Sequence, residues 1–280
     1  MNKYFDIDLN NKVVAITGAG GFICGGIAKE LAHSGAKIAV LDYKLESAAR
    51  TADAVKDLGG TANPYVCNVL DKEALARVHA EIHRDFGNVD ILINGAGGNN
   101  PMATCDNEFM ELDKQCEKDF FALTEDGVRY VFDLNFLGTF LPTQEFAKDM
   151  IGRGGCSILN ISSMNAFTPL TKIPAYSAAK SAISNFTEWL AVHFAKVGIR
   201  VNAIAPGFFV TNQNRALLFD AEGKPTQRTA KILAATPMER FGDVQELMGA
   251  VKLLISSDEA SFITGVVLPI DGGFNAYSGV

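Results

Sequence analysis

The chain has 280 residues, a formal net charge of −7, and a composition that is 48% hydrophobic and 20% charged. A chain of this length can bury one substantial core without disulfides or a structural metal. Its five cysteines form no Cys-x-x-Cys pair, so we expect free thiols and no metal site. The net negative charge argues against a surface that binds nucleic acid. No apolar run reaches the roughly 18 residues that a membrane span needs. We therefore expect a cytoplasmic protein with no nucleic-acid and no membrane partner.

Short β-branched apolar runs alternate with longer amphipathic stretches along the chain. This alternation predicts βαβ units, and the continuous apolar character of the runs suits strands buried on both faces of a parallel sheet. The predicted strands are Lys12–Thr17, Lys37–Asp42, Tyr65–Asn68, Val89–Asn94, Ser157–Ser162, Arg200–Ala205 and Val266–Pro269. The predicted helices are Gly25–Ser34, Leu45–Leu58, Lys72–Phe86, Gly127–Ile151, Ala175–Val197 and Val244–Ser256. We therefore expect an α/β fold, a single-domain, doubly wound Rossmann-type three-layer sandwich with a seven-stranded parallel sheet.

Two segments, residues 98–126 and 207–242, do not fit the alternation. Each follows a predicted strand at the edge of the sheet where open parallel sheets bind ligands. We expect substrate-loop insertions near 98–126 and 207–242, because long excursions at that edge can wall a binding site. A disordered surface insertion is the alternative for each segment.

A glycine-rich turn containing Gly18, Gly20 and Gly21 connects the first predicted strand to the first predicted helix. Glycines let the backbone approach a pyrophosphate, and the helix N-terminus stabilises its negative charge. Asp42 ends the next strand, where a carboxylate can accept hydrogen bonds from the adenosine ribose and would repel a 2′-phosphate. These residues predict NAD rather than NADP as the cofactor. A solvated strand-end or helix-capping role is the alternative for Asp42.

Tyr176 and Lys180 lie four residues apart in the most helical segment of the chain and therefore share one helix face. A free phenol titrates near pH 10, but an adjacent ammonium and an oxidised nicotinamide ring both stabilise the phenolate. A lone Tyr-x-x-x-Lys usually marks only a solvated helix face. Here Ser163 follows the end of a predicted strand, where its hydroxyl could hold a substrate carbonyl oxygen beside the phenol. We therefore predict that Tyr176 transfers a proton and that Lys180 tunes it.

Several further motifs, in the same order along almost the whole chain, resemble those of the short-chain dehydrogenase/reductase family. They are Thr17-Gly18, Asn94-Gly95-Ala96-Gly97, Asp133-Leu134-Asn135, Pro206-Gly207 with Thr211, and Asp271-Gly272-Gly273. The resemblance implies hydride transfer between a nicotinamide and a carbonyl carbon, with four catalytic residues: Asn135, Ser163, Tyr176 and Lys180. In that scheme Tyr176 donates or removes the proton, Ser163 orients the oxygen, and Asn135 anchors a water that links Lys180 to solvent.

The same resemblance implies an NAD-binding set in which Lys180 bonds the nicotinamide ribose and Thr211 holds the carboxamide. Its members are Gly18, Gly21, Phe22, Ile23, Asp42, Asn68, Val69, Asn94, Ala96, Gly97, Tyr176, Lys180, Pro206, Gly207 and Thr211. The chain departs from the family pattern at Phe22 and Cys24, which stand where the turn commonly has glycines. It also departs at Gly95, which replaces an asparagine, and at Asn68, where an aspartate is frequent. A chain in which Phe22 blocked the pyrophosphate would be a non-catalytic dinucleotide-binding sensor.

Within the family, the phrases 135–139 and 205–209 and the C-terminal residues 273–280 are similar to a subgroup that interconverts D-fructuronate and D-mannonate. That similarity implies a sugar-acid substrate, and a neutral sugar, polyol or acyl ketone is the alternative. A sugar acid needs cations and many hydrogen-bonding groups, so either Lys172 or Arg215 could pair with its carboxylate. The substrate candidates are Ser163, Asn165, Asn99, Asn100, Lys172 and Arg215, with Gln213 and Asn214 nearby. The family also implies a homo-oligomer, either a tetramer or a dimer, in which the helix that contains Trp189 packs against the same helix of another subunit.

Overall fold

Seven parallel strands form one sheet, in the order β3-β2-β1-β4-β5-β6-β7, in the computed structural model, which describes residues 7–112, 116–211 and 215–279. The strands are β1 Val13–Thr17, β2 Lys37–Asp42, β3 Thr61–Val66, β4 Ile91–Asn94, β5 Cys156–Ile161, β6 Ile199–Pro206 and β7 Val267–Ile270. The strand order reverses between β1 and β4, which is where open sheets of this kind form a ligand-binding crevice. The predicted doubly wound fold with a parallel seven-stranded sheet is confirmed.

Helices cover both faces of the sheet. They are α1 Phe22–His33, α2 Leu45–Asp57, α3 Lys72–Asp85, α4 Glu125–Phe132, α5 Gly138–Phe146, α6 Pro174–Phe194, α7 Arg215–Leu218, α8 Gln227–Ala234 and α9 Met248–Ile255. Alternate residues of β1 point to opposite faces: Val14 and Ile16 pack with α1, α2 and α9, whereas Val13 and Ala15 pack with α3, α5 and α6. The sandwich therefore has two cores. No helix of the described residues is long and apolar enough to cross a bilayer.

The segment predicted as one helix over Gly127–Ile151 is divided into two. Between α4 and α5 lies a π-helical turn, Asp133–Leu137, and 3₁₀ geometry replaces the helix after Phe146. Two features disturb the regular backbone hydrogen bonds of the helix. The side-chain amide of Asn135 donates to the Val131 carbonyl at 2.8 Å, and Pro142 has no backbone N–H to donate. Such π turns occur frequently at functional sites.

Two further differences concern β3 and the 207–242 segment. The strand β3 begins at Thr61 rather than Tyr65 and contains Pro64, which it tolerates because it is an edge strand. The 207–242 segment contains α7 and α8, which the hydrophobic pattern did not predict. Both loop segments, 98–126 and 207–242, follow the carboxyl ends of strands, β4 and β6 respectively.

Candidate active site

Ser163, Tyr176 and Lys180 lie at the carboxyl edge of the sheet, and we call them the proton-transfer group. Ser163 follows β5 by two residues and caps the 3₁₀ turn Met164–Ala166. The other two lie on the first turns of α6, which begins at Pro174, a residue whose fixed φ suits the first helical position. The end of a strand and the start of a helix therefore bring together three residues, the outermost of which are 17 positions apart in the sequence.

The Tyr176 side chain is half-buried and packs beside α4. Desolvation of the phenol raises the pKa of Tyr176 to about 12, and the nearby Ser163 hydroxyl acts in the opposite direction. Tyr176 therefore carries its proton at neutral pH. A protonated phenol beside a hydroxyl is suited to donating a proton to a carbonyl oxygen that the hydroxyl also holds.

The ammonium of Lys180 lies between the end of β5 and the phenol. Its Nζ donates to the Ile161 carbonyl at 2.8 Å and lies 5.6 Å from the centroid of the Tyr176 ring. Lys180 is only 4% exposed, and burial lowers its pKa to about 8. Most of the lysine is still charged at neutral pH, so it can stabilise negative charge that develops on the phenol.

Asn135 is fully buried and holds the backbone that passes in front of Lys180. Its side chain accepts from the Gly98 N–H at 3.2 Å and donates to the Gly98 carbonyl at 2.7 Å. A Cβ on Gly97 would lie 2.6 Å from Asn135 Oδ1 and 3.3 Å from Lys180 Nζ. Only glycine fits at position 97. Because Asn135 and Lys180 both lie next to Gly97, the structure brings all four predicted catalytic residues to one place.

The turn after β1 has the form that a pyrophosphate requires. Gly18 has φ +65°, and a Cβ there would lie 2.9 Å from the Ala96 backbone. The helix α1 begins at Phe22, and its N-cap residue, Gly21, supplies no side-chain cap for the first-turn N–H groups. The Phe22 side chain is 47% exposed. Because an uncapped helix start binds anions, the turn fits the diphosphate of a dinucleotide.

Asp42 joins the end of β2 to the glycine-rich turn. Its Oδ2 accepts from the Gly20 N–H and its Oδ1 from the Lys44 N–H, both at 3.0 Å. Each carboxylate oxygen has further acceptor capacity, so these bonds leave room for ribose hydroxyls. Two further members of the predicted NAD-binding set follow β3: Asn68 is exposed and accepts from the Leu70 N–H at 3.1 Å, and Val69 is buried.

A row of buried polar side chains crosses the sheet below the predicted cofactor site. The strand register aligns Thr17 of β1 with Asn94 of β4 and Asn160 of β5. Thr17 Oγ1 accepts from the Gly95 and Ala96 N–H groups, at 3.0 and 3.2 Å, and Asn94 donates to Asn160 Oδ1 at 2.9 Å. Sequence reasoning did not include Asn160, because a polar residue inside an apolar strand carries no signal of its partner in another strand.

The turn after β6 is tied to the C-terminal segment. The Gly207 N–H donates to the Ile270 carbonyl at 2.9 Å, and a Cβ on Gly207 would lie 2.6 Å from the Asp271 Cα. Pro206 is buried at the end of β6, and Thr211 accepts from the Arg215 N–H through its backbone at 3.0 Å. Close packing of this turn explains why it needs glycine.

The substrate candidates occupy different environments. Asn165 is buried, and its Oδ1 has no hydrogen-bond partner within the described part of the chain. Asn99 and Asn100 hydrogen-bond inside their own loop, the first to Thr104 and the second to the Met102 N–H. The guanidinium of Arg215 lies 5.6 Å from the centroid of the Phe219 ring. Two further candidates, Gln213 and Asn214, lie outside the described residues.

Comparison with known proteins places this geometry in context. A model of the short chain dehydrogenase family matches residues 12–221. An uncharacterized oxidoreductase of Haemophilus influenzae is 59% identical over 281 residues, which cover 100% of this chain and 99% of the relative. A crystal structure with bound NAD, of a Haemophilus protein provisionally described as a D-mannonate oxidoreductase, is 60% identical, covers 98% of each chain and has a TM-score of 0.94. A 2-dehydro-3-deoxy-D-gluconate 5-dehydrogenase of Pseudoalteromonas atlantica is 32% identical, over 95% of this chain and 96% of the relative.

Proposed function

The chain belongs to the short-chain dehydrogenase family, and from that premise we propose that it is an NAD-dependent D-mannonate oxidoreductase, which interconverts D-fructuronate and D-mannonate. The observation that carries the reaction type is the proton-transfer group, in which a protonated phenol, a hydroxyl and a buried ammonium converge. The substrate is supported by the 60% identical Haemophilus structure. The 2-dehydro-3-deoxy-D-gluconate dehydrogenase also supports a sugar-acid substrate class.

Each residue of the proton-transfer group has one task in this proposal. NAD(H), when bound, supplies or accepts the hydride. Ser163 Oγ donates a hydrogen bond to the substrate oxygen and orients it beside Tyr176. Tyr176 Oη gives its proton to that oxygen in reduction and removes it in oxidation, and the charge of Lys180 stabilises the phenolate that remains. Asn135 holds the Gly97–Gly98 backbone against Lys180.

The preference for NAD is assigned to Asp42. The Asp42 carboxylate lies at the end of β2 beside the glycine-rich turn, where it would accept hydrogen bonds from the ribose hydroxyls and repel a 2′-phosphate. The related Haemophilus structure contains NAD, which supports the same assignment.

Self-association through α6 is also part of the proposal. Trp189 on this helix is 55% exposed and stacks between Phe186 and His193, with ring centroids 6.2 and 4.6 Å away. An exposed aromatic surface of this kind suits a contact between copies of the chain, in a dimer or a tetramer. Light scattering on the purified protein would measure the oligomeric state.

A substrate panel tests the proposed reaction. Purified protein with NADH is offered D-fructuronate, D-fructose as the matched neutral ketose, and an acyl ketone, and absorbance reports NADH oxidation. We expect D-fructuronate to have the highest kcat/KM. A fast neutral ketose together with inert D-fructuronate would replace the sugar acid by a neutral sugar as the substrate class. Binding of NADH without turnover of any carbonyl would favour a dinucleotide sensor.

A further inference from the structure

An ion pair joins the two loop segments that flank the proposed substrate site. Lys231, on α8, donates to both carboxylate oxygens of Glu108, at 2.8 and 2.9 Å. The partners are 123 positions apart, since Glu108 belongs to the 98–126 segment after β4 and Lys231 to the 207–242 segment after β6. Bidentate contact satisfies both oxygens of the carboxylate, so Lys231 compensates the charge of Glu108.

A second lysine, Lys172, lies within electrostatic reach of the same carboxylate. The pKa of Glu108 is lowered first by its hydrogen bond with Lys231 and in addition by the charges of Lys231 and Lys172. Lys172 lies four positions before Tyr176, in the connection from Ser163 to α6. Its carbonyl accepts a hydrogen bond from the Cys105 N–H at 2.8 Å. The backbone of Lys172 is therefore hydrogen-bonded to the 98–126 segment, and the same connection leads into α6, which carries Tyr176.

The charges of Glu108, Lys231 and Lys172 are not equally compensated by ion pairs. Within residues 7–112, 116–211 and 215–279, Lys172 makes no ion pair with a carboxylate, whereas Glu108 is paired with Lys231. The other candidate cation, Arg215, is exposed and lies over the Phe219 ring. Within the described residues the Lys172 ammonium is therefore not held by a carboxylate, in a protein whose overall charge of −7 opposes an anionic substrate.

We propose that Lys231 determines substrate specificity by neutralising Glu108, which leaves Lys172 to bind the carboxylate of a sugar-acid substrate. This inference rests on the proposed function, because it requires a substrate with a carboxylate. Lys172 contacts the substrate, while Glu108 and Lys231 are positioning residues that act through it. Without Lys231, the Glu108 carboxylate attracts Lys172 and repels the substrate.

The proposal is tested with NADH and D-fructuronate, by measuring kcat and KM separately for charge variants of the pair. Lys231→Ala should raise KM about fivefold and change kcat less than about twofold, because the interaction is with the bound carboxylate rather than with the reacting carbon. Glu108→Gln should lower KM by about twofold, because it removes a negative charge near the substrate. The double variant should return KM to within about twofold of the wild-type value, and Lys231→Arg should retain it.

A purely mechanical link between the loops makes the opposite prediction. If the pair only held the two segments together, Glu108→Gln and Lys231→Ala would raise KM equally, and the double variant would be no better. That result would overturn the proposal. In a Lys172→Ala background, the change at Lys231 should raise KM less than it does in the wild-type protein, because only the direct repulsion between Glu108 and the substrate is left.

A matched control removes the same charge elsewhere. Lys148 pairs with Glu145 near the end of α5, at the opposite edge of the sheet, and Lys148→Ala should leave KM unchanged. Failure of the inference differs from failure of the proposed function. If wild-type protein reduces only a neutral ketose, both the inference and the proposed function are contradicted. If wild-type protein reduces D-fructuronate and Lys231→Ala has the wild-type KM, only the role of the ion pair falls.

Discussion

The thiol of Cys24 fills the space that a side chain at Gly95 would occupy. A Cβ on Gly95 would collide with Cys24 Sγ and would also lie 3.0 Å from the Thr17 carbonyl. The family resemblance marks both positions as departures, a glycine replaced at 24 and an asparagine replaced at 95. In the structure they are one feature, because the cysteine on α1 and the glycine after β4 are complementary in volume.

Gly95→Ala should therefore destabilise the protein by about 1–3 kcal/mol, the usual cost of an added methyl group in a packed region. Urea unfolding would measure the free energy of unfolding. Cys24→Gly removes the colliding atom, so the double variant should be more stable than the sum of the two single changes indicates. Gly154→Ala is the matched control, because no atom lies within 4 Å of its added Cβ. Additive single effects at positions 24 and 95 would contradict the complementarity.

Replacing Tyr176 with Phe should reduce turnover by about 10²- to 10⁴-fold, because the variant keeps the ring but loses the proton at Oη. NADH binding should be retained, and fluorescence titration would measure it. Ser181→Ala is a suitable control, since the partners of this hydroxyl among the described residues are two backbone carbonyls, Ser177 on the same helix and Ala166 in the preceding 3₁₀ turn. Persistent turnover in Tyr176→Phe would remove the tyrosine from the mechanism.

The rate of carbonyl reduction should fall as the pH rises through about 8. Burial lowers the pKa of Lys180 to about 8, so deprotonation above that value removes the positive charge that stabilises the Tyr176 phenolate. Tyr176 contributes no falling limb below its own pKa of about 12, because it stays protonated. The measurement is kcat/KM for the carbonyl substrate against pH. In Lys180→Arg, whose side chain stays charged, any residual activity should lack the limb near pH 8; a limb that persists there would assign it to another group.

The sequence predicted the sheet and the motif residues of the site, but it did not predict several contacts between distant segments. The alternating runs predicted the sheet because a strand buried on both faces must be apolar throughout, and the motif residues at positions 135, 163, 176 and 180 lie close together in the structure. The division of the helix near Asn135 was missed, because the hydrophobic pattern does not show that the Asn135 side chain bonds the Val131 carbonyl and, in another segment, Gly98. The pairing of Glu108 with Lys231 was missed for the same reason. Local patterns identify elements and motifs, whereas contacts between distant loops depend on the completed fold.

Asp42 offers a test in which a structural role and a binding role can be separated. Asp42→Ala removes both the acceptor for the Gly20 N–H and the charge that disfavours a 2′-phosphate. Asp42→Asn removes the charge but keeps one carbonyl oxygen, which can still accept from the Gly20 N–H. We expect the ratio of kcat/KM for NADH to that for NADPH to fall about tenfold or more in both variants, with the larger loss of stability in Asp42→Ala. If the ratio is unchanged in Asp42→Asn while Asp42→Ala is destabilised, Asp42 only braces the glycine-rich turn, and the cofactor preference originates elsewhere.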